Sequence, residues 1–80
     1  MDGFHPSIYI EEEMKERGWS SADMGLDDVN RLSLDLYLAN PGEPSLRMGD
    51  DLIAALSKAF GTSAALWGNL ERSWLSSLAR

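Results

Sequence analysis

Asp50-Asp51-Leu52-Ile53-Ala54-Ala55-Leu56-Ser57-Lys58-Ala59-Phe60-Gly61-Thr62-Ser63-Ala64-Ala65-Leu66-Trp67-Gly68-Asn69-Leu70 reads as two helices joined by a very short turn. Leu52, Ile53, Leu56 and Phe60 recur at the spacing of one helix face, and Ala54, Ala55 and Ala59 permit close packing around it. Gly61 can take the left-handed conformation that closes the first helix, and the Ser63 hydroxyl can accept a free N–H at the start of the second. So tight a helical joint in a short chain predicts a compact all-α domain.

Working outward, the last helix carries Leu66, Trp67, Leu70, Trp74 and Leu75 on one side, with Asn69, Glu71, Arg72 and Ser73 largely on the other. Two tryptophans exceed the needs of a small core. Trp67, Leu70 and Trp74, together with Leu36 and Tyr37, are therefore candidates for an interface with a partner or a second copy.

Upstream, Asn40-Pro41-Gly42-Glu43-Pro44 is a loop. Before it, Leu32, Leu34, Leu36 and Leu38 alternate strictly with other residues, which is a strand signal. High helix propensity, an acidic N-cap and helices on either side favour a helix over Val29 to Asn40. The alternative is a hairpin that pairs this segment with Leu46-Arg47-Met48. As a helix, Leu32, Leu36 and Tyr37 cannot all share one buried face with Leu34 and Leu38, so apolar surface is expected to stay exposed.

Ser20-Ser21-Ala22-Asp23 has the form of a capping box and predicts a short second helix, with Met24 facing the core and Gly25 near its end. Asp27 or Asp28 can cap the helix that follows. The first helix is expected from Pro6-Ser7 to Gly18, with Ile10, Met14 and Tyr9 at helical spacing. Its acidic run, Glu11 to Glu13 and Glu16, reads as a solvated face with a Glu13 to Arg17 pair one turn apart.

The 80 residues allow one domain over positions 1–80, with 1–5 expected to be flexible. There is no cysteine to form a disulfide or a thiolate metal site. No basic and apolar leader and no membrane-length apolar run is present, so a cytoplasmic protein without membrane contact is expected. A formal charge of −6 argues against holding nucleic acid on a broad basic surface. Any positive strip must come from Lys15, Arg17, Arg31, Arg47, Lys58, Arg72 and Arg80.

Catalysis is the least expected class. His5 lies near a terminus expected to be mobile, and neither a cysteine nucleophile nor a Gly-rich phosphate loop occurs. Asp27-Asp28 and Asp50-Asp51 read as helix N-terminal charges rather than metal ligands. No catalytic residue, metal site or cofactor is expected.

Glu12-Glu13-Met14-Lys15-Glu16-Arg17-Gly18-Trp19-Ser20-Ser21-Ala22-Asp23-Met24 and Lys58-Ala59-Phe60-Gly61-Thr62-Ser63-Ala64-Ala65-Leu66-Trp67-Gly68-Asn69-Leu70, with the His5-Pro6 start, resemble the HigA/VapI-type antitoxins of the Xre-like, lambda-repressor-like helix-turn-helix family. The resemblance implies a five-helix bundle whose second and third helices read DNA. It also implies a dimeric repressor of operator DNA that can silence a toxin ribonuclease. On that basis Ser20 and Ser21 would meet backbone phosphates, Asn30, Arg31 and Ser33 base edges, and Arg47 a flanking phosphate. The chain departs from the family where a polar recognition helix is expected. That region is about one residue shorter than the pattern, and Asp27, Asp28 and Asp35 would repel phosphates. The alternative is a protein-binding module on a degenerate helix-turn-helix, docking a toxin or another protein or mimicking DNA.

Overall fold

The computed structural model describes residues 4–78, and over them the chain is all-helical, with no strand. Helix α1 spans Pro6–Arg17, a 3-10 turn η1 spans Ser21–Met24, and α2, α3 and α4 span Asp28–Ala39, Asp50–Phe60 and Ala64–Leu78. α3 packs against α4 and α2, α1 against α4 and α2, and η1 against α2. None of these helices is long and apolar enough to cross a membrane.

Local chemistry sets each boundary. At α1 the Nδ1 of His5 accepts the Ser7 N–H at 3.2 Å, and Pro6, whose missing N–H costs nothing in a first turn, follows the cap. The Oδ1 of Asp27 accepts the Asn30 N–H at 2.8 Å and starts α2. Between η1 and α2, Gly25 turns the chain at φ +70°, where a side chain would be strained. The α3–α4 joint forms as its residues predict. Gly61 is left-handed at φ +70°, the Thr62 N–H donates to the Ser57 carbonyl at 3.0 Å, and the Ser63 hydroxyl accepts the Leu66 N–H at 3.3 Å.

Ile10, Met24, Leu34, Tyr37, Met48, Leu52, Leu56, Phe60 and Trp67 form the core. Trp67 packs against Phe60 at 5.7 Å between ring centroids, and its Nε1 donates to the Thr62 hydroxyl at 2.9 Å. At the edge of this core Arg17 pairs with Glu13 at 2.6 Å and lies 5.4 Å and 5.1 Å from the Trp19 and Phe60 ring centres.

The leucine alternation belongs to a helix, and the hairpin does not form. Each residue turns the helix by about 100°, so two residues carry a side chain to the far side. Leu34 is buried and Leu38 half-buried, whereas Leu32 and Leu36 are exposed.

Several expectations are corrected. The second helix is a single 3-10 turn, so four α-helices replace the expected five. Glu71, expected on the polar side of the last helix, is buried at 4% exposure, while Leu66, expected inside, is exposed. His5, discounted as lying near the chain start, is buried, because it caps α1 and its ring is covered by two aromatic neighbours; residues 1–3 of the span expected to be flexible lie outside the described residues. Tyr37, Trp67 and Trp74 fill this chain's own interior and offer almost no surface to a partner.

Candidate interaction surface

α2 presents two faces because its leucines alternate. Asn30, Leu34, Tyr37 and Leu38 turn inward, and Val29, Leu32 and Leu36 turn out with 74%, 62% and 47% of their surface exposed. The three outward residues follow the i, i+3, i+7 rule and fall within an arc of about 60°. On a helical wheel Asp28 and Asp35 border that arc beyond Leu32, and Ser33 borders it on the other side. The result is an apolar ridge with an acidic flank.

The residues assigned to nucleic-acid contacts are only partly brought together. Asn30, Ser33 and Arg47 line one shallow groove of about 450 Å³, but Asp50 and Asp51 line it too. Arg31 is exposed, and among the described residues its guanidinium makes no ion pair with Asp27, Asp28 or Asp35. Ser20, the N-cap of η1, and Ser21, its first residue, lie outside that groove. The N–H and hydroxyl of Ser20 are both engaged, since the Asp23 carboxylate accepts the first at 2.8 Å and the second at 3.1 Å. These bonds, the backbone one foremost, hold the Asp23 carboxyl below the usual carboxylate range. A charged carboxylate therefore sits where a phosphate would have to approach.

Beneath the groove lies a polar cluster that residue spacing did not reveal. One Glu71 oxygen accepts both the Tyr37 hydroxyl at 3.0 Å and the Met48 N–H at 2.9 Å, and the other lies 3.8 Å from Arg47. Arg47 thus lies within ion-pair reach of a buried carboxylate while its own side chain stays 60% exposed. Burial first, and the Glu71 charge second, push the Tyr37 phenol far above its ordinary range. The His5 ring packs 4.7 Å from Tyr37 and edge-on to Trp74 at 4.5 Å, with Nδ1 2.8 Å from the Ser7 hydroxyl. Because Nδ1 accepts from the backbone, the neutral ring carries its proton on Nε2, which is buried and without a partner. Burial lowers the His5 pKa, and the nearby Glu71 charge opposes that shift. The cluster joins the start of α1, α2, the loop after it and α4 through long-range contacts, and no local pattern announces it.

Of the five residues assigned to an interface, Leu36 is on the surface and Leu70 is half-buried. Val29 was not among them, although its place one turn before Leu32 makes it the first member of the ridge. Among the described residues no group of three or more histidines or carboxylates is placed to hold a metal ion. The chain matches no family model, no curated protein and no solved structure.

Proposed function

We propose that this chain is a protein-binding module that presents α2 as a docking helix on a helix-turn-helix-like scaffold. The observation that carries this reading is the ridge of Val29, Leu32 and Leu36, solvent-exposed on a helix whose opposite side buries Leu34 and Tyr37 in the core. The i, i+3, i+7 spacing is the way a helix offers anchors to a groove. A ridge of three side chains is too small to hold two copies together by itself, since a stable interface buries about 800 Å² on each partner. Its acidic flank and the net charge of −6 also oppose self-pairing. The fitting occupant is a protein with an apolar groove bordered by lysine or arginine. A basic toxin of the kind the family resemblance implies has that character.

Operator DNA binding is the second reading. It is supported by the order of η1, a turn and α2, which leaves Asn30, Arg31 and Ser33 in the first turns of α2, with Arg31 and Ser33 open to solvent. Five aspartates around those donors weigh against it.

Two variants separate the readings. Leu32→Glu breaks the ridge and Arg31→Ala removes the exposed cation in the first turns of α2. The wild-type chain is expected to capture a host protein that, once purified, binds it one to one with little dependence on salt, is lost with Leu32→Glu and is kept with Arg31→Ala. Specific retention of duplex from its own upstream region, falling steeply with salt, lost with Arg31→Ala and kept with Leu32→Glu, would overturn the docking reading in favour of repression.

A further inference from the structure

We propose that His5 is an acid-sensitive latch: when its ring takes up a second proton, the start of α1 parts from α2 and α4 while the rest of the core stays folded. The device stands on what the neutral ring does in place. Its Nδ1 accepts the Ser7 N–H at 3.2 Å and lies 2.8 Å from the Ser7 hydroxyl, so a ring lone pair caps the helix. The same ring packs 4.7 Å from Tyr37 of α2 and 4.5 Å from Trp74 of α4, both of them buried. Tyr37 lies on the inner side of α2, so the latch does not rest on docking through the outward ridge.

A proton on Nδ1 undoes each part. An imidazolium has two donors and no acceptor, so the Ser7 N–H loses its partner. Positive charge then stands at the N-terminal end of α1, where the helix dipole disfavours it. Nε2–H, buried and among the described residues without a partner, becomes part of a desolvated cation. The ionisable groups around the ring are few. α4 contributes the Glu71 carboxylate, α2 the Tyr37 phenol, and the loop after α2 contributes Arg47, 3.8 Å from Glu71; Pro6, Ser7 and Ile8 of α1 add none. Glu71 attracts an imidazolium, but it already accepts from Tyr37 and Met48 and returns no acceptor to Ser7. Burial is the larger influence on the ring and outweighs that attraction. The release is local because α1 is also moored farther along. Ile10 is fully buried, Met14 packs against the core, and Arg17 donates to the Phe60 carbonyl at 3.4 Å, all without His5. Opening therefore uncovers the Tyr37 and Trp74 rings beside a carboxylate and leaves the bundle standing.

The test follows ring-to-ring nuclear Overhauser contacts in the full chain from about pH 8 to about pH 5, a span that brackets imidazole titration. At the upper end the His5 ring protons are expected to show contacts to Tyr37 and Trp74. These contacts should vanish in step with the titration of the His5 ring, at a midpoint below the ordinary value of 6.5, while the Phe60 to Trp67 contacts persist throughout. His5→Asn keeps an acceptor at the cap without a titrating group, and should leave the Ser7 amide and Trp74 indole signals constant with pH. Glu71→Gln removes the attracting charge and should move the midpoint to lower pH. Contacts that persist after the ring has titrated, loss of the Phe60 to Trp67 contacts together with those of His5, a response that survives in His5→Asn, or one abolished by Glu71→Gln would each overturn the latch.

Discussion

Two tryptophans one helical stretch apart on α4 live in different worlds. Trp67 sits in an apolar core beside Phe60, with its one polar atom paired to Thr62 five residues away. Trp74 abuts the His5 ring, which lies beside a buried carboxylate and carries a buried nitrogen with no partner. The first environment is built from neighbours in the chain and from shape. The second is built from polar groups that meet only after folding, and each is costly unless the others are in place. An apolar core loses stability in proportion to the volume removed, whereas a polar cluster is vulnerable to the loss of a single proton or oxygen.

The largest effect is expected at the apolar end. Trp67→Ala should cost about 3–5 kcal/mol of unfolding free energy in denaturant titration, and a loss within the error of the melt would show that this core is not close-packed. At the polar end Glu71→Ala should cost about 2–4 kcal/mol, because it strands the Tyr37 hydroxyl and the Met48 N–H together. Tyr37→Phe in the same background should recover part of that loss. Additive losses would instead mean that the two groups are not coupled through Glu71.

A smaller and more selective effect is the pH response of His5. Its folded pKa is lowered from the ordinary value of 6.5, so the unfolded chain binds a proton more readily than the folded one. The contribution is fully present above the unfolded value and is lost as pH falls from there through the lowered folded value. Unfolding from about pH 8 to about pH 5.5 should show this decline in the wild type and not in His5→Gln, and parallel curves would remove His5 from the cluster. The smallest effect belongs to the ridge. Leu32→Glu should change stability by no more than about 0.5 kcal/mol, since the side chain is already in water, and a large loss would mean that Leu32 serves the fold.

The same contrast explains what was legible in the sequence. The α3–α4 joint, the Asp27 cap, the Ser20–Asp23 box and the inward set of α3 were readable because each depends on residues within a turn or two. The leucine alternation was readable only as an ambiguity until the 100° step of a helix assigned Leu34 and Leu38 to one side and Leu32 and Leu36 to the other. The burial of Glu71 is illegible in the sequence for a physical reason. A glutamate between Leu70 and Arg72 looks solvated unless its partners are known, and they stand 34 and 23 residues away. Trp67 and Trp74 look surplus to so small a core until the interior they fill is known, and nothing local shows that His5, near the chain start, is covered by aromatic rings. The candidate surface is half legible: Leu36 stands out as surplus apolar surface, whereas Val29 joins it only once the phase of α2 is known, and the engagement of Ser20 requires the Asp23 geometry.

The span of the Glu71 contacts also orders events in time. Closing a five-residue segment from Thr62 to Trp67 costs little chain entropy, whereas bringing Tyr37 to Glu71 closes a much longer loop before any bond is gained. The α3–α4 hairpin is therefore the natural nucleus, and the clasp of Glu71 on Tyr37 and Met48 is a late event that locks the loop after α2 in place. Substitutions in the hairpin should slow folding, and substitutions in the clasp should chiefly hasten unfolding.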